Sequence, residues 1–250
     1  MTAALRTEGL SKSFGGFAAN SGISLSLEAG ARHALIGPNG AGKTTLINLL
    51  TGVFAPTAGE IWLGGERVTS MPQHRRVKRG MTRTFQINTL FPGLSVLESV
   101  LLAVCERTGS GDRWLRPASA MHAEIDEAMA LLATLRLADD AGTLTRNLAY
   151  GRQRLLEMAL ALATRPRVLL LDEPAAGIPA DASEELFAVL AELPREVTVL
   201  FIEHDMGLVF RFAERITVLV GGGVLTEGTP HEIAADPRVK EVYLGESEHA

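Results

Sequence analysis

The chain has little of what several function classes require. It holds one cysteine, Cys105, among 250 residues. That excludes an intramolecular disulfide and fits a reducing compartment, with the lone thiol read as a small buried hydrophobe. It has no excess of positive charge: 24 Lys and Arg stand against 29 Asp and Glu, a net charge of −5. Such a balance argues against nucleic acid as the main partner, although a local basic patch remains compatible with it. No apolar run approaches the roughly 18 residues of a membrane span. Residues 168–171 and 197–202 are apolar but short, and read as buried strands. The first twelve residues lack the apolar core of a signal segment. There is no internal repeat and no low-complexity tract. A soluble chain is expected, held at a membrane only if another protein holds it there. At 46% hydrophobic, the sequence can fill the core of one large domain or two small ones.

What is present centres on Gly37-Pro38-Asn39-Gly40-Ala41-Gly42-Lys43-Thr44-Thr45, which fits the Gly-x4-Gly-Lys-Thr pattern of a phosphate-binding loop. Glycines let successive N–H groups turn into one cavity that suits an anion. Lys43 supplies a point charge for β- and γ-phosphates, and the Thr44 hydroxyl suits a Mg²⁺ that bridges them. Arg32–Ile36 is predicted as a strand entering the loop, and Lys43–Thr51 as a helix leaving it. Leu46, Leu49 and Leu50 give that helix an apolar face, and its N-terminus adds about half a positive charge.

Residues 1–30 are predicted as β structure. Leu10 to Gly16 ends in a turn, and residues 23–27 alternate at period two as one half-buried strand. Phe14, beside a Gly pair, is either a ring for a nucleotide base or a core aromatic. Pro56-Thr57-Ala58-Gly59 reads as a turn, and residues 60–68 as a hairpin around Gly64-Gly65. His74-Arg75-Arg76-Val77-Lys78-Arg79 is a basic run: a solvated helix face, or an electrostatic rim near phosphates or anionic lipid. Residues 81–85 read as a strand followed by Gln86, which is an ordinary loop residue or a Mg²⁺-shell amide. Residues 89–164 are helical in pattern, with Met121, Ile125, Ala128, Met129, Leu132 and Leu135 on one buried face. Residues 108–117 read as a loop. The α/β texture then returns, with an amphipathic helix over residues 183–193 capped by Asp181, and a hairpin around residues 221–223. Lys43 and Asp172 lie 129 residues apart, far beyond the ~30 of one strand-helix-strand crossover, so the helical stretch is an insertion.

The strand at residues 168–171 ends in Asp172-Glu173. Asp172 is placed to hold a Mg²⁺ shell, and Glu173 to orient or deprotonate an attacking water. His204 also follows an apolar strand, from which it can reach a γ-phosphate or serve structure alone. Leu148-Ala149-Tyr150-Gly151-Arg152 opens a helical run and suits phosphate. One γ-phosphate is not served by two helix N-termini of the same chain, so a dimer is expected, each chain capping the other's nucleotide.

Taken in order, the loop, Gln86, residues 148–152, Asp172-Glu173 and His204 resemble the ATP-binding cassette (ABC) ATPases across nearly the whole chain. Thr82-Arg83-Thr84-Phe85-Gln86, Asn147-Leu148-Ala149-Tyr150-Gly151, Asp172-Glu173-Pro174-Ala175-Ala176-Gly177 and Tyr243-Leu244-Gly245-Glu246 are similar to ATPase subunits of branched-chain amino-acid importers. The resemblance implies an α/β P-loop fold. A RecA-like core spans residues 1–88 and 165–228, with an N-terminal antiparallel β subdomain. An inserted helical subdomain spans 89–164, and a tail 229–250. It implies ATP and Mg²⁺, with Phe14 on adenine, Gln86 coupling to membrane subunits, Glu173 as base and His204 as switch. Residues 148–152 would contact the partner's ATP. Implied partners are a second ATPase subunit, two permease subunits and a solute-binding protein, at the cytoplasmic face of the membrane. Ala149, Arg152 and Pro179 depart from the common pattern at positions expected in the dimer seam, which points to a related but non-identical ATPase partner. The alternatives are a soluble P-loop kinase or phosphotransferase, a cassette importing urea or amides, and a non-transport cassette acting on ribosomes or DNA.

Overall fold

In the computed structural model, which describes residues 3–84, 90–110 and 121–244, the period-two and fully apolar stretches become strands of two sheets. The chain divides into two units: residues 1–83, 167–174 and 193–250 form one, and residues 84–166 and 175–192 the other. The helical unit therefore takes in residues 175–192 as well, which the sequence had assigned to the core.

In the first unit, β1 (Leu5–Phe14), β2 (Phe17–Ile23), β3 (Ser26–Leu27), β5 (Ala58–Leu63) and β6 (Glu66–Arg67) make an antiparallel sheet. Residues 23–27 keep their alternating burial but do not form one strand. The Thr7 hydroxyl interrupts it, donating to the Ile23 carbonyl at 3.0 Å and accepting from the Leu25 N–H at 3.0 Å. Ala58 and Gly59, read as part of a turn, open β5. The second sheet runs β11 (Gly223–Gly228), β10 (Arg215–Val220), β4 (Arg32–Ile36), β9 (Thr198–Ile202), β8 (Val168–Asp172), β7 (Met81–Arg83), parallel from β10 to β7. Every residue of β4, β8 and β9 is buried, as strands covered on both faces require. The helices of this unit are α1 (Lys43–Thr51), α2 (Gln73–Lys78), α7 (Met206–Phe212), α8 (Pro230–Ala235) and α9 (Pro237–Leu244).

The basic run is not a uniformly solvated face. His74, Arg75 and Lys78 are exposed on α2, but Arg76 is 2% exposed. Its guanidinium donates to the Leu49 and Leu50 carbonyls at 2.7 and 2.6 Å, and to those of Met71 and Thr69 at 2.8 Å each. Leu49 and Leu50 lie in the last turn of α1, whose carbonyls have no partner inside the helix. A cation there also complements the negative end of the helix dipole.

The second unit holds α3 (Val96–Thr108), α4 (His122–Thr134), α5 (Tyr150–Ala163) and α6 (Ala180–Glu192). A capping box starts α3: Ser95 Oγ accepts from the Glu98 N–H, and Glu98 Oε2 accepts from the Ser95 N–H. On the α4 face Ala128, Leu132 and Leu135 are fully buried, whereas Met121, Ile125 and Met129 are half-buried. The methionines sit at the margin of that face rather than at its centre. Arg107 joins three helices, donating to both Glu127 carboxylate oxygens at 2.7 Å and to the Ala163 carbonyl at 2.7 Å. Asp181 does not cap α6: the helix begins at Ala180 and Asp181 lies exposed in its first turn. Residues 111–120, which hold most of the predicted loop, lie outside the described residues.

Candidate nucleotide-binding and catalytic site

Residues 37–42 connect the end of β4 to the start of α1. Two glycines are required by contact as well as by turning. Gly42 has φ 96°, and a Cβ there would lie 2.4 Å from the Ala19 carbonyl oxygen. At Gly37 a Cβ would lie 2.1 Å from the Leu219 carbonyl oxygen. The Lys43 ammonium curls back over the loop, donating to the Gly37 and Pro38 carbonyls at 2.6 and 3.0 Å. A cavity of about 280 Å³ is lined by residues 39–45 with Phe17, Ala19, Glu173 and His204.

Strand order brings these groups together. With β9 between β4 and β8, three neighbouring parallel strands end at the loop, at His204 and at Asp172-Glu173. Ligands of parallel α/β sheets bind at such carboxyl ends. Glu173 stands at φ 51°, in the left-handed region, which costs a side chain of its size about 1–2 kcal/mol. Its N–H donates to the Ile202 carbonyl at 3.0 Å, which holds the turn. Its carboxylate lies 2.9 Å from His204 Nε2. An ionised carboxylate only accepts, so Nε2 carries the proton and donates. The two residues expected to meet a γ-phosphate separately are thus joined to each other.

Asp172 is buried and does not line the cavity. Burial pushes its carboxyl up, and the Arg83 charge and hydrogen bond oppose this; Glu173 pushes it up and Lys43 down. Arg83 Nη2 donates to Asp172 Oδ2 at 2.5 Å, and Arg83 Nη1 to Asn48 Oδ1 at 2.7 Å. Asp172 Oδ1 is buried and has no hydrogen-bond partner among the described residues. That orphaned oxygen fits a place in a magnesium shell, as does the exposed Thr44 at the start of α1. Among the described residues no three His, Cys, Asp or Glu cluster to hold a metal ion by themselves.

Sequence reasoning missed Arg83, Asn48 and Phe17. Phe14, expected on adenine, stacks edge-on against Phe54 at 5.4 Å with the Lys12 ammonium 5.0 Å from its ring. The aromatic that lines the cavity is Phe17, 66% exposed and on the same turn. Its signal was available: it too flanks the Gly15-Gly16 pair. Gln86 lies outside the described residues.

Residues 148–152 belong to the helical unit. Ala149 precedes α5 and offers no side-chain cap to its first N–H groups. A Cβ on Gly151 would lie 2.8 Å from that of Ala182, so only glycine lets α5 approach α6 this closely. Arg152, placed by its motif in a dimer seam, turns into its own unit. It donates to Asp140 Oδ2 from Nε and Nη2 at 2.9 and 2.5 Å, and to the Arg136 carbonyl at 2.6 Å.

A strand, a phosphate loop opening a helix, and an Asp-Glu pair ending a parallel strand define a P-loop nucleoside triphosphatase. Residues 20–176 match the ABC transporter family, and residues 224–249 match a C-terminal segment described as branched-chain amino acid ATP-binding cassette transporter. A high-affinity branched-chain amino acid transport ATP-binding protein, BraF of Pseudomonas aeruginosa, is 41% identical across 97% of this chain and 98% of its own. LivG of Escherichia coli is 40% identical at the same coverage. The ADP conformation of MJ1267, an ATP-binding cassette of an ABC transporter, superposes with TM-score 0.85 at 29% identity, covering 98% of this chain and all of that one. The chain belongs to the ABC transporter family as one of its ATP-binding, ATP-hydrolysing subunits. That membership sets aside the soluble phosphotransferase. Among the described residues no helix is long and apolar enough to cross a membrane.

Proposed function

We propose that this subunit energises uptake of branched-chain amino acids, working from the cytoplasmic face of a membrane on two permease subunits fed by a solute-binding protein. The observation that carries its part in the reaction is the Glu173–His204 hydrogen bond on the wall of the cavity that the Lys43 loop also lines. The solute assignment rests on the relatives named above and on the C-terminal match.

In this reading the loop N–H groups and Lys43 hold the phosphates, and Phe17 or Phe14 flanks the base. Thr44 and Asp172 Oδ1 would hold Mg²⁺, which when bound neutralises charge building on the transferred phosphoryl group. Glu173 takes the proton of the attacking water, a task worth about 10²–10⁴ in rate. His204 orients that carboxylate through Nε2–H and exchanges it for the γ-phosphate when nucleotide fills the cavity. Gln86 carries the state of the site to the permease. The open N-terminus of α5, with Leu148, Ala149, Tyr150 and Gly151, meets the ATP of a second ATPase subunit. Ala149 brings no hydroxyl to that contact and Arg152 is committed to Asp140, which supports a related, non-identical partner.

Glu173→Gln tests the assignment in the assembled transporter. It is expected to bind ATP like the parent and to lose nearly all turnover. Parent-like hydrolysis would remove Glu173 from the role of base. The solute is tested by measuring what the cognate binding protein retains; urea or a short amide in place of Leu, Ile or Val overturns that part alone.

A further inference from the structure

We propose that Arg83 is the positioning residue of the magnesium site: it grips Asp172 by Oδ2, leaves Oδ1 as the atom that faces the ion, and ties that carboxylate to the helix carrying Thr44. The inference rests on the reading of Asp172 and Thr44 as magnesium-shell residues.

Three observations carry it. First, the pair is internal: the Arg83 side chain is 13% exposed and that of Asp172 fully covered. Interior ion pairs are expensive to desolvate and contribute little net stability, so one at a catalytic strand end needs a reason other than stability. Second, the two carboxylate oxygens are divided. Oδ2 takes a charge-assisted bond at 2.5 Å, while Oδ1 is buried without a partner among the described residues. A carboxylate fixed through one oxygen cannot rotate the other away. Third, the guanidinium fork points in two directions. Its second arm reaches Asn48 Oδ1 at 2.7 Å, and Asn48 sits four residues after Thr44 on α1. Residues four apart share a helix face, so the hydroxyl and the carboxylate meant for one ion are registered by one rigid, planar cation. Lysine, a single point charge, cannot make both contacts in this geometry.

The experiment measures binding of a fluorescent ATP analogue to the full chain, in EDTA and across a Mg²⁺ titration, for the parent, Arg83→Met, Arg83→Lys and Asn48→Ala. Loss of a group that orients a metal ligand raises the metal requirement by about 10- to 100-fold. Arg83→Met is therefore expected to need that much more Mg²⁺ for half-maximal enhancement while its affinity in EDTA stays at the parent's value. Arg83→Lys should fall between the two, and Asn48→Ala should show a smaller rise, because the grip on Oδ2 survives. An unchanged Mg²⁺ requirement in Arg83→Met overturns the inference. So does equal weakening in EDTA and in Mg²⁺, which would make Arg83 a brace for the fold. A lowered requirement overturns it too, since Arg83 would then be competing with the ion. Asp172→Asn separates the two levels: if it loses the Mg²⁺ response while Arg83→Met keeps it, only the inference fails. If Asp172→Asn keeps the parent's response, the reading of the site fails with it.

Discussion

Replacing Arg76 by Met should destabilise the protein strongly without touching any group in the cavity. The change keeps the bulk of the side chain and removes four donor contacts, to the carbonyls of Leu49, Leu50, Met71 and Thr69. Burial lowers the Arg76 pKa to about 10, so the group is still charged at neutral pH. Among the described residues no carboxylate partners it; backbone dipoles do, and two of them belong to the last turn of α1. Each buried acceptor stripped of its donor costs about 1–3 kcal/mol. Allowing for relaxation and for the Gly52 N–H, which already reaches the Leu49 carbonyl at 3.2 Å, the net loss should be about 3 kcal/mol. In a chain of this length that lowers the melting temperature by about 6–12 °C. Thermal and urea unfolding of the full chain measure it, with ATP-analogue affinity recorded below the transition. Affinity should fall less than stability, because the lesion lies at the far end of α1 from the phosphate loop. An Arg76→Met protein that melts with the parent would show that the α1 carbonyls do not depend on the guanidinium, and would refute the argument.

Three other outcomes are expected. Lys43→Ala should weaken nucleotide binding about 10- to 100-fold, the worth of a charge-assisted contact, and unchanged affinity in a direct titration would contradict the phosphate-loop assignment. His33, buried on β4, donates or accepts at 2.7 Å with the Thr217 hydroxyl, and its pKa is lowered from 6.5 to about 4 by burial, against the pull of Glu227 and with the push of Arg215. The unfolded chain therefore takes the proton first as pH falls, so stability that is complete above pH 6.5 drops by about 3 kcal/mol on the way to pH 4. Melting temperature followed against pH should show His33→Asn flattening that part of the profile; a parallel profile would argue against it. Arg152→Gln should cost about 1 kcal/mol or less, as half-covered ion pairs do, and leave ATP-analogue affinity unchanged.

The phosphate loop and its helix were legible because their determinants are local. Residues 37–45 carry the whole pattern, and β4 and α1 have the predicted bounds. The buried strands were legible for the same reason: residues 168–171 and 199–202 have no polar interruption, so a position covered on both faces is the only place for them. Boundaries set by remote contacts were not. Thr7 decides where residues 23–27 break, and nothing within that stretch signals it. Asp181 has the residue type of a cap, but α6 starts one residue earlier and leaves it in the first turn. The grouping of residues 175–192 with the helical unit follows from packing of α6 on α5, which one strand-helix-strand reading of the sequence does not contain.

The same distinction separates the groups proposed to do the chemistry from those that hold them. Lys43, Asp172, Glu173 and His204 are recognisable because each sits at a fixed offset from a strand end. Their supports are arginines whose partners lie far along the chain: 89 residues for Arg83 to Asp172, and 26 and 27 for Arg76 to Leu50 and Leu49. A long charged side chain looks solvated until its partners are known, and Arg76 was read that way for the charge of its neighbours. Yet arginine has five donors in a planar fork and keeps its charge when buried, so it is suited to collect carbonyls and carboxylates from several elements at once. Arg76 does this at one end of α1, and Arg83 does it between the middle of α1 and β8. The helix that presents the phosphate loop is thus fixed along its length by two interior cations. Lysine at either position would keep the charge and lose the planar fork, so it should hold only part of these ties at both.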